Sequence, residues 1–128
     1  MKQRIVCSGT FDTIHKGHIE YLRASKALRE NSELIVIVAR DKNSALIKGK
    51  ETINKEDVRL EKIKALDFVD EAVLGFKDKS KIIDRVVSLK PDVLALGHDQ
   101  WAKEEWLKEE FSKRNLEIDI VRMQRFDK

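Results

Sequence analysis

The feature that most constrains this chain is an alternation running from one end to the other. Short apolar runs rich in β-branched residues alternate with stretches of helical periodicity. Ile5-Val6-Cys7, Glu33 to Ala39, Ala72 to Leu74, Asp92 to Leu96 and Leu116 to Val121 read as strands. Between them, Ile19, Leu22, Ala27 and Leu28 fall near one face of a helix that starts at about Gly17. Val58, Ile63, Leu66 and Val69 fit a second helix; Ile82, Ile83, Val86, Val87 and Leu89 fit a third, ended by Pro91. Ala102 to Arg114 reads as a charged fourth. The second strand is apolar without interruption, as a strand covered on both faces must be. Strands alternating with helices predict an α/β fold: a doubly wound, parallel, five-stranded sheet with helices on both faces. In such a sheet ligands lie beyond the carboxyl ends of the strands, near the switch in strand order.

Composition narrows the function classes. The 128 residues suit one domain with a proper core. No apolar run approaches membrane-spanning length and no signal-peptide pattern opens the chain, so no membrane partner is expected. A single cysteine rules out an internal disulfide and fits a reducing cytoplasm. The net charge is +3 with 38% charged residues, the acids interspersed with the bases. That is a poor electrostatic footprint for nucleic acid.

Residues 9 to 18 read Gly-Thr-Phe-Asp-Thr-Ile-His-Lys-Gly-His, directly after the first strand. A strand, a tight glycine-containing turn and two histidines opening a helix outline a phosphate site. Gly17 has no Cβ and lets a ligand approach the backbone. A helix N-terminus offers unpaired N–H groups and partial positive charge to an anion. His15 and His18 are three apart, so both rings point the same way within one turn, and Lys16 adds charge. A zinc site would need Cys7 or His98 as further ligands, and Cys7 lies in an apolar run.

The His-x-Gly-His segment behind Gly-Thr-Phe-Asp resembles the signature of the cytidylyltransferase-like nucleotidyltransferases, over ten consecutive positions in the right strand-to-helix context. The resemblance implies one Rossmann-like domain over residues 1–128. It also implies nucleotidyl transfer, in which a phosphate monoester attacks the α-phosphorus of a nucleoside triphosphate and pyrophosphate leaves. His15, His18 and Lys48 are then the catalytic candidates. Thr10, Phe11, His15, Lys16, Gly17, His18, Asp99 and Arg125 are the nucleotide-binding ones. Lys50 and Arg59 are further candidates for phosphate or acceptor, and Asp12 for Mg²⁺ or another divalent cation, directly or through water. Competing readings stand beside several of these: solvated loop lysines for Lys48 and Lys50, an exposed helix arginine for Arg59, and a helix cap for Asp99. Trp101, Trp106 and Phe111 read as helix packing.

Two branches of the family match in length and motif. Arg40-Asp41 after the second strand, Lys48-Gly49 and Gly97-x-Asp99-Gln100 look more like the archaeal type of FAD synthase, which joins ATP to FMN. The alternative is a glycerol-3-phosphate cytidylyltransferase, which uses CTP. A non-catalytic nucleotide- or RNA-binding module is the reading from a different class. The family also suggests a cytoplasmic homodimer. In the family a Ser/Thr-Lys-Ile-like segment follows the last strand near an arginine. Here the chain stops at Lys128, where that segment should begin, so the domain is expected to lack it.

Overall fold

The computed structural model describes residues 2–11, 14, 16–41, 54–75, 81–97 and 103–124. Within them the chain runs β1 (Gln3–Gly9), α1 (Lys16–Lys26), β2 (Ser32–Val38), α2 (Glu56–Lys64), β3 (Glu71–Leu74), α3 (Ile82–Ser88), β4 (Val93–Leu96), α4 (Glu104–Lys113) and β5 (Asp119–Arg122). The five strands form one sheet in the order β3-β2-β1-β4-β5. All four pairings are parallel, with Gln3–Gly9 of β1 in register with Ser32–Val38 of β2. β1 therefore lies at the centre, and the strand order switches between β1 and β4.

Strand alternation divides the core into two layers. Ile5, Cys7, Leu34, Val36, Val38, Val93 and Ala95 face one side, where Tyr21 and Leu22 of α1 and Ile63 of α2 cover them. Val6, Ile35, Ile37, Leu94 and Leu96 face the other, against Ile83 and Val86 of α3 and Leu107 and Phe111 of α4. The expected doubly wound sheet, with helices on both faces, is what forms. Each fully buried Ile, Leu or Val contributes about 1.5–3 kcal/mol relative to leaving it in water. The continuous apolar character of the central strands is thus the price of burial on both sides.

Helix boundaries follow local chemistry. Glu56 and Asp57 open α2 and Lys62 and Lys64 close it, and α4 shows the same polarity, each complementing the helix dipole. Just past the end of α4, Asn115 has φ 57°, the left-handed conformation that asparagine tolerates after a helix. One expectation needs correction. α2 stops at Lys64, so Leu66 and Val69 pack from the following turn, and Val58 is exposed. The inward positions of α2 are Arg59 and Ile63, four apart. A hydrophobic pattern selects Val58 for the interior; the bonds made by the Arg59 guanidinium, described below, turn the helix the other way. No helix among the described residues is long and apolar enough to cross a membrane.

Candidate active site

β1 ends at Gly9 in the middle of the sheet, where the backbone N–H of Ala39 donates to the Gly9 carbonyl at 3.0 Å. Phe11 follows two residues later with φ 53° and 3% exposure. A phenylalanine in the left-handed region costs about 1–2 kcal/mol. Its ring folds back over Gly9, where a Cβ would lie 2.7 Å from Cζ and 2.9 Å from Cε2. A side chain at Gly9 would therefore force the ring to shift. α1 begins at Lys16, Gly17 is buried in its first turn, and the His18 ring meets the Phe11 ring edge to face, 5.5 Å between centroids at 78°. Such a pair is worth about 0.5–1.5 kcal/mol beyond the area it buries. Lys16 points to solvent, its ammonium 3.7 Å from Glu20.

Beneath this corner lies Arg59, fully buried. Its Nη1 donates to the Thr10 carbonyl at 2.7 Å, its Nε to the Asn54 carbonyl at 3.1 Å and its Nη2 to Asp41 Oδ1 at 2.7 Å. A guanidinium leaves water at low cost only when paired and hydrogen-bonded in this way. Arg59 thus ties the motif turn to the end of β2 and the approach to α2, giving its donors to the protein's own oxygens.

Two further arginines brace the same rim. Arg40 donates through Nε to the Gly75 carbonyl at 2.8 Å and pairs through Nη1 with Glu56 Oε2 at 2.7 Å, while the Asp41 N–H donates to Glu56 Oε1 at 3.0 Å. The Asp41 N–H, with Arg40 second, holds the Glu56 carboxyl below its ordinary range. At the other side of the switch point, Arg122 reaches back from the end of β5. Its Nη1 donates to the Gly97 carbonyl at 3.0 Å and its Nη2 to Glu104 Oε1 at 2.6 Å. That bond lowers the Glu104 carboxyl. One guanidinium therefore ties the end of β4 to the start of α4.

Of the sequence candidates, the structure brings Thr10, Phe11, Gly17, His18 and Arg59 together at the end of β1. Asp12, His15, Lys48, Lys50, Asp99 and Arg125 lie outside the described residues. Trp106 and Phe111 pack in the core layer under α4, whereas Trp101 is outside the described set. Sequence reasoning missed Arg122 and the Glu56 and Glu104 carboxylates. Their one signal is placement, a charged residue at a strand end or in the first turn of a helix. A basic groove of about 650 Å³ opens at the opposite rim, lined in part by Lys2, Arg23, Lys26 and Arg29. Lys26 and Arg29 there are each 2.6 Å from an aspartate, and Arg23 lies 4.6 Å over Phe68. It is an ordinary charge-laced surface.

The sheet order, with a strand–turn–helix corner at its switch point, defines a doubly wound α/β protein. The chain belongs to the cytidylyltransferase-like family, whose model matches residues 6–127. It is 48% identical over 127 residues to a FAD synthase of Korarchaeum cryptofilum, covering 98% of this chain and 84% of that one. A FAD synthase of Archaeoglobus fulgidus is 46% identical over 120 residues, covering 93% and 82%. Among solved structures, the lipopolysaccharide core biosynthesis protein from Thermoplasma volcanium GSS1 superposes with a TM-score of 0.88 at 39% identity, covering 98% of each chain. The pantoate-beta-alanine ligase from Francisella tularensis shares the fold alone, with a TM-score of 0.65 at 14% identity over 98% of this chain and 61% of that one.

Proposed function

We propose that this chain is a FAD synthase, adenylating FMN with ATP and releasing pyrophosphate. The observation that carries the reading is the identity of 48% to a FAD synthase across 98% of the chain. In the reaction a phosphate oxygen of FMN attacks the α-phosphorus of ATP. A P–O bond forms there as the bond to the bridging oxygen breaks, and pyrophosphate takes that electron pair. The protein's part is alignment and charge stabilisation. His18 sits in the first turn of α1, where the helix N-terminus already favours anions. His15 and Lys48 complete the catalytic set in this reading, with Asp99 and Arg125 at the nucleotide.

Among the described residues no three His, Cys, Asp or Glu side chains converge as a metal cage. A divalent cation chelated by a triphosphate needs one or two carboxylates besides phosphate oxygens and water. In this reading the cation enters with ATP, and Asp12 contributes directly or through water. Bound there, the cation neutralises charge developing on the phosphate oxygens. The reading extends to a cytoplasmic homodimer without nucleic-acid or membrane partners.

The test is pyrophosphate release with Mg²⁺, comparing ATP plus FMN with CTP plus glycerol 3-phosphate. Release from the first mixture alone is expected, and His18→Ala should lower its turnover by about 10²–10³-fold. Release from the second mixture alone would move the chain to the cytidylyl branch. Silence in both, with salt-sensitive RNA binding, would favour a non-catalytic module.

A further inference from the structure

We propose that Phe11 is a positioning residue for His18, and that Gly9 is kept small so that it can be. The proposal rests on the catalytic reading of His18 above and concerns what aims that ring. Phe11 carries four independent marks of a built arrangement. Its side chain is 3% exposed, so the ring acts inside the protein and not as a face open to substrate. Its backbone has φ 53°, a conformation that a bulky side chain keeps only when the surroundings over-determine it. The space the ring occupies exists because Gly9 has no Cβ, with Cζ, Cε2 and Cε1 at 2.7, 2.9 and 3.2 Å from where one would stand. The same ring meets His18 at 5.5 Å and 78°.

The geometry links two ends of one motif. Gly9 is the last residue of the central strand, anchored by the Ala39 N–H, and His18 stands in the first turn of the helix that follows. The Phe11 ring touches both and so transmits the position of the rigid sheet to the imidazole. An imidazole turns about its χ angles unless something restrains it. An edge-to-face neighbour restricts both the tilt and the lateral position of the ring. Displacements of about 1 Å at a reacting group cost up to about 10²-fold in rate. A prop of this kind therefore acts on the chemical step far more than on substrate capture.

The experiment uses the full chain with ATP, FMN and Mg²⁺, measuring kcat and both KM values. The variants are Phe11→Leu, Gly9→Ala, His18→Ala and the two double variants carrying His18→Ala. Phe11→Leu removes the ring, and Gly9→Ala displaces it without removing it. Circular dichroism and a thermal melt identify any variant that fails to fold, and the other then carries the test. The expected result is a fall in kcat of about 10-fold for each single variant, with KM changed less than about two-fold. Neither substitution should lower kcat further once His18 is alanine, because residues acting through one another are not additive. An equal loss in the presence and absence of the imidazole would overturn the proposal and leave the role of His18 standing. A His18→Ala enzyme with unchanged turnover would overturn the catalytic reading itself, and the proposal with it.

Discussion

At the scale of single residues, Arg59 has the most consequential position. It is a fully buried arginine on a short, charge-rich helix, and it holds Thr10, Asn54 and Asp41 at once. Replacing it by methionine keeps the apolar stem and deletes every donor. The Thr10 and Asn54 carbonyls then lose these bonds and Asp41 loses this ion pair. Arg59→Met should destabilise by about 2–4 kcal/mol, towards the lower end of breaking a buried pair because Asp41 is one-third exposed. A shift of the urea midpoint measures it. Arg59→Lys should recover only part, since one ammonium cannot reproduce a planar fork aimed at three oxygens. A midpoint unchanged in Arg59→Met would mean the guanidinium is not what holds the turn. The local pattern favours Val58 over Arg59 for the interior; only the arrival of Thr10 and Asp41 from distant parts of the chain reverses that choice. The ring over Gly9 was equally hidden, because a Gly-Thr-Phe sequence says nothing about where the phenylalanine folds.

At the scale of elements, the strands and helices were legible because burial imposes their periodicity. Short apolar runs rich in β-branched residues, such as Leu34 to Val38, favour a covered strand. The braces between elements were not legible, since a charged residue at a strand end looks like solvent-facing surface until its partner is known. The Arg122 brace makes a prediction at this scale. Arg122 and Glu104 are partly exposed, so their pairing contributes little to global stability. Its effect is on the ends of the segment between β4 and α4, which contains Asp99. Arg122→Gln should raise the KM for ATP by several-fold, on the order of 1 kcal/mol, while kcat and the melting temperature change little. Glu104→Gln should give a similar KM, and the double variant no more than either alone. Steady-state kinetics decides it: an unchanged KM would confine the brace to folding.

At the scale of the whole molecule, acid should unfold the protein through its paired carboxylates. Glu56 sits below its ordinary value of 4.5. Asp70 is pushed up by burial, but Lys26 and the Leu34 N–H outweigh this, so its carboxyl lies below the ordinary 3.8. With folded values depressed, the unfolded chain binds more protons across the interval. Stability from these groups is therefore complete above the ordinary values and lost as pH falls through the folded ones. The urea midpoint should fall as the pH drops below about 5, and Glu56→Gln should flatten part of that slope. Cys7 reports the same cooperativity from the central strand, its thiol pushed up to about 12 by burial. Alkylation at about pH 8 should be negligible in the folded protein and complete in urea. The sequence alone determined the α/β alternation, the central apolar strands and the motif that opens the first helix. These depend on local periodicity and on chemistry carried by consecutive residues. Tertiary structure decided the strand order, which sets the end of β1 beside that of β4, and it decided which charges are structural. Arg59, Arg122 and the Phe11–His18 contact exist only once distant backbone oxygens and rings are brought within a few ångströms, and no spacing along the chain encodes that distance.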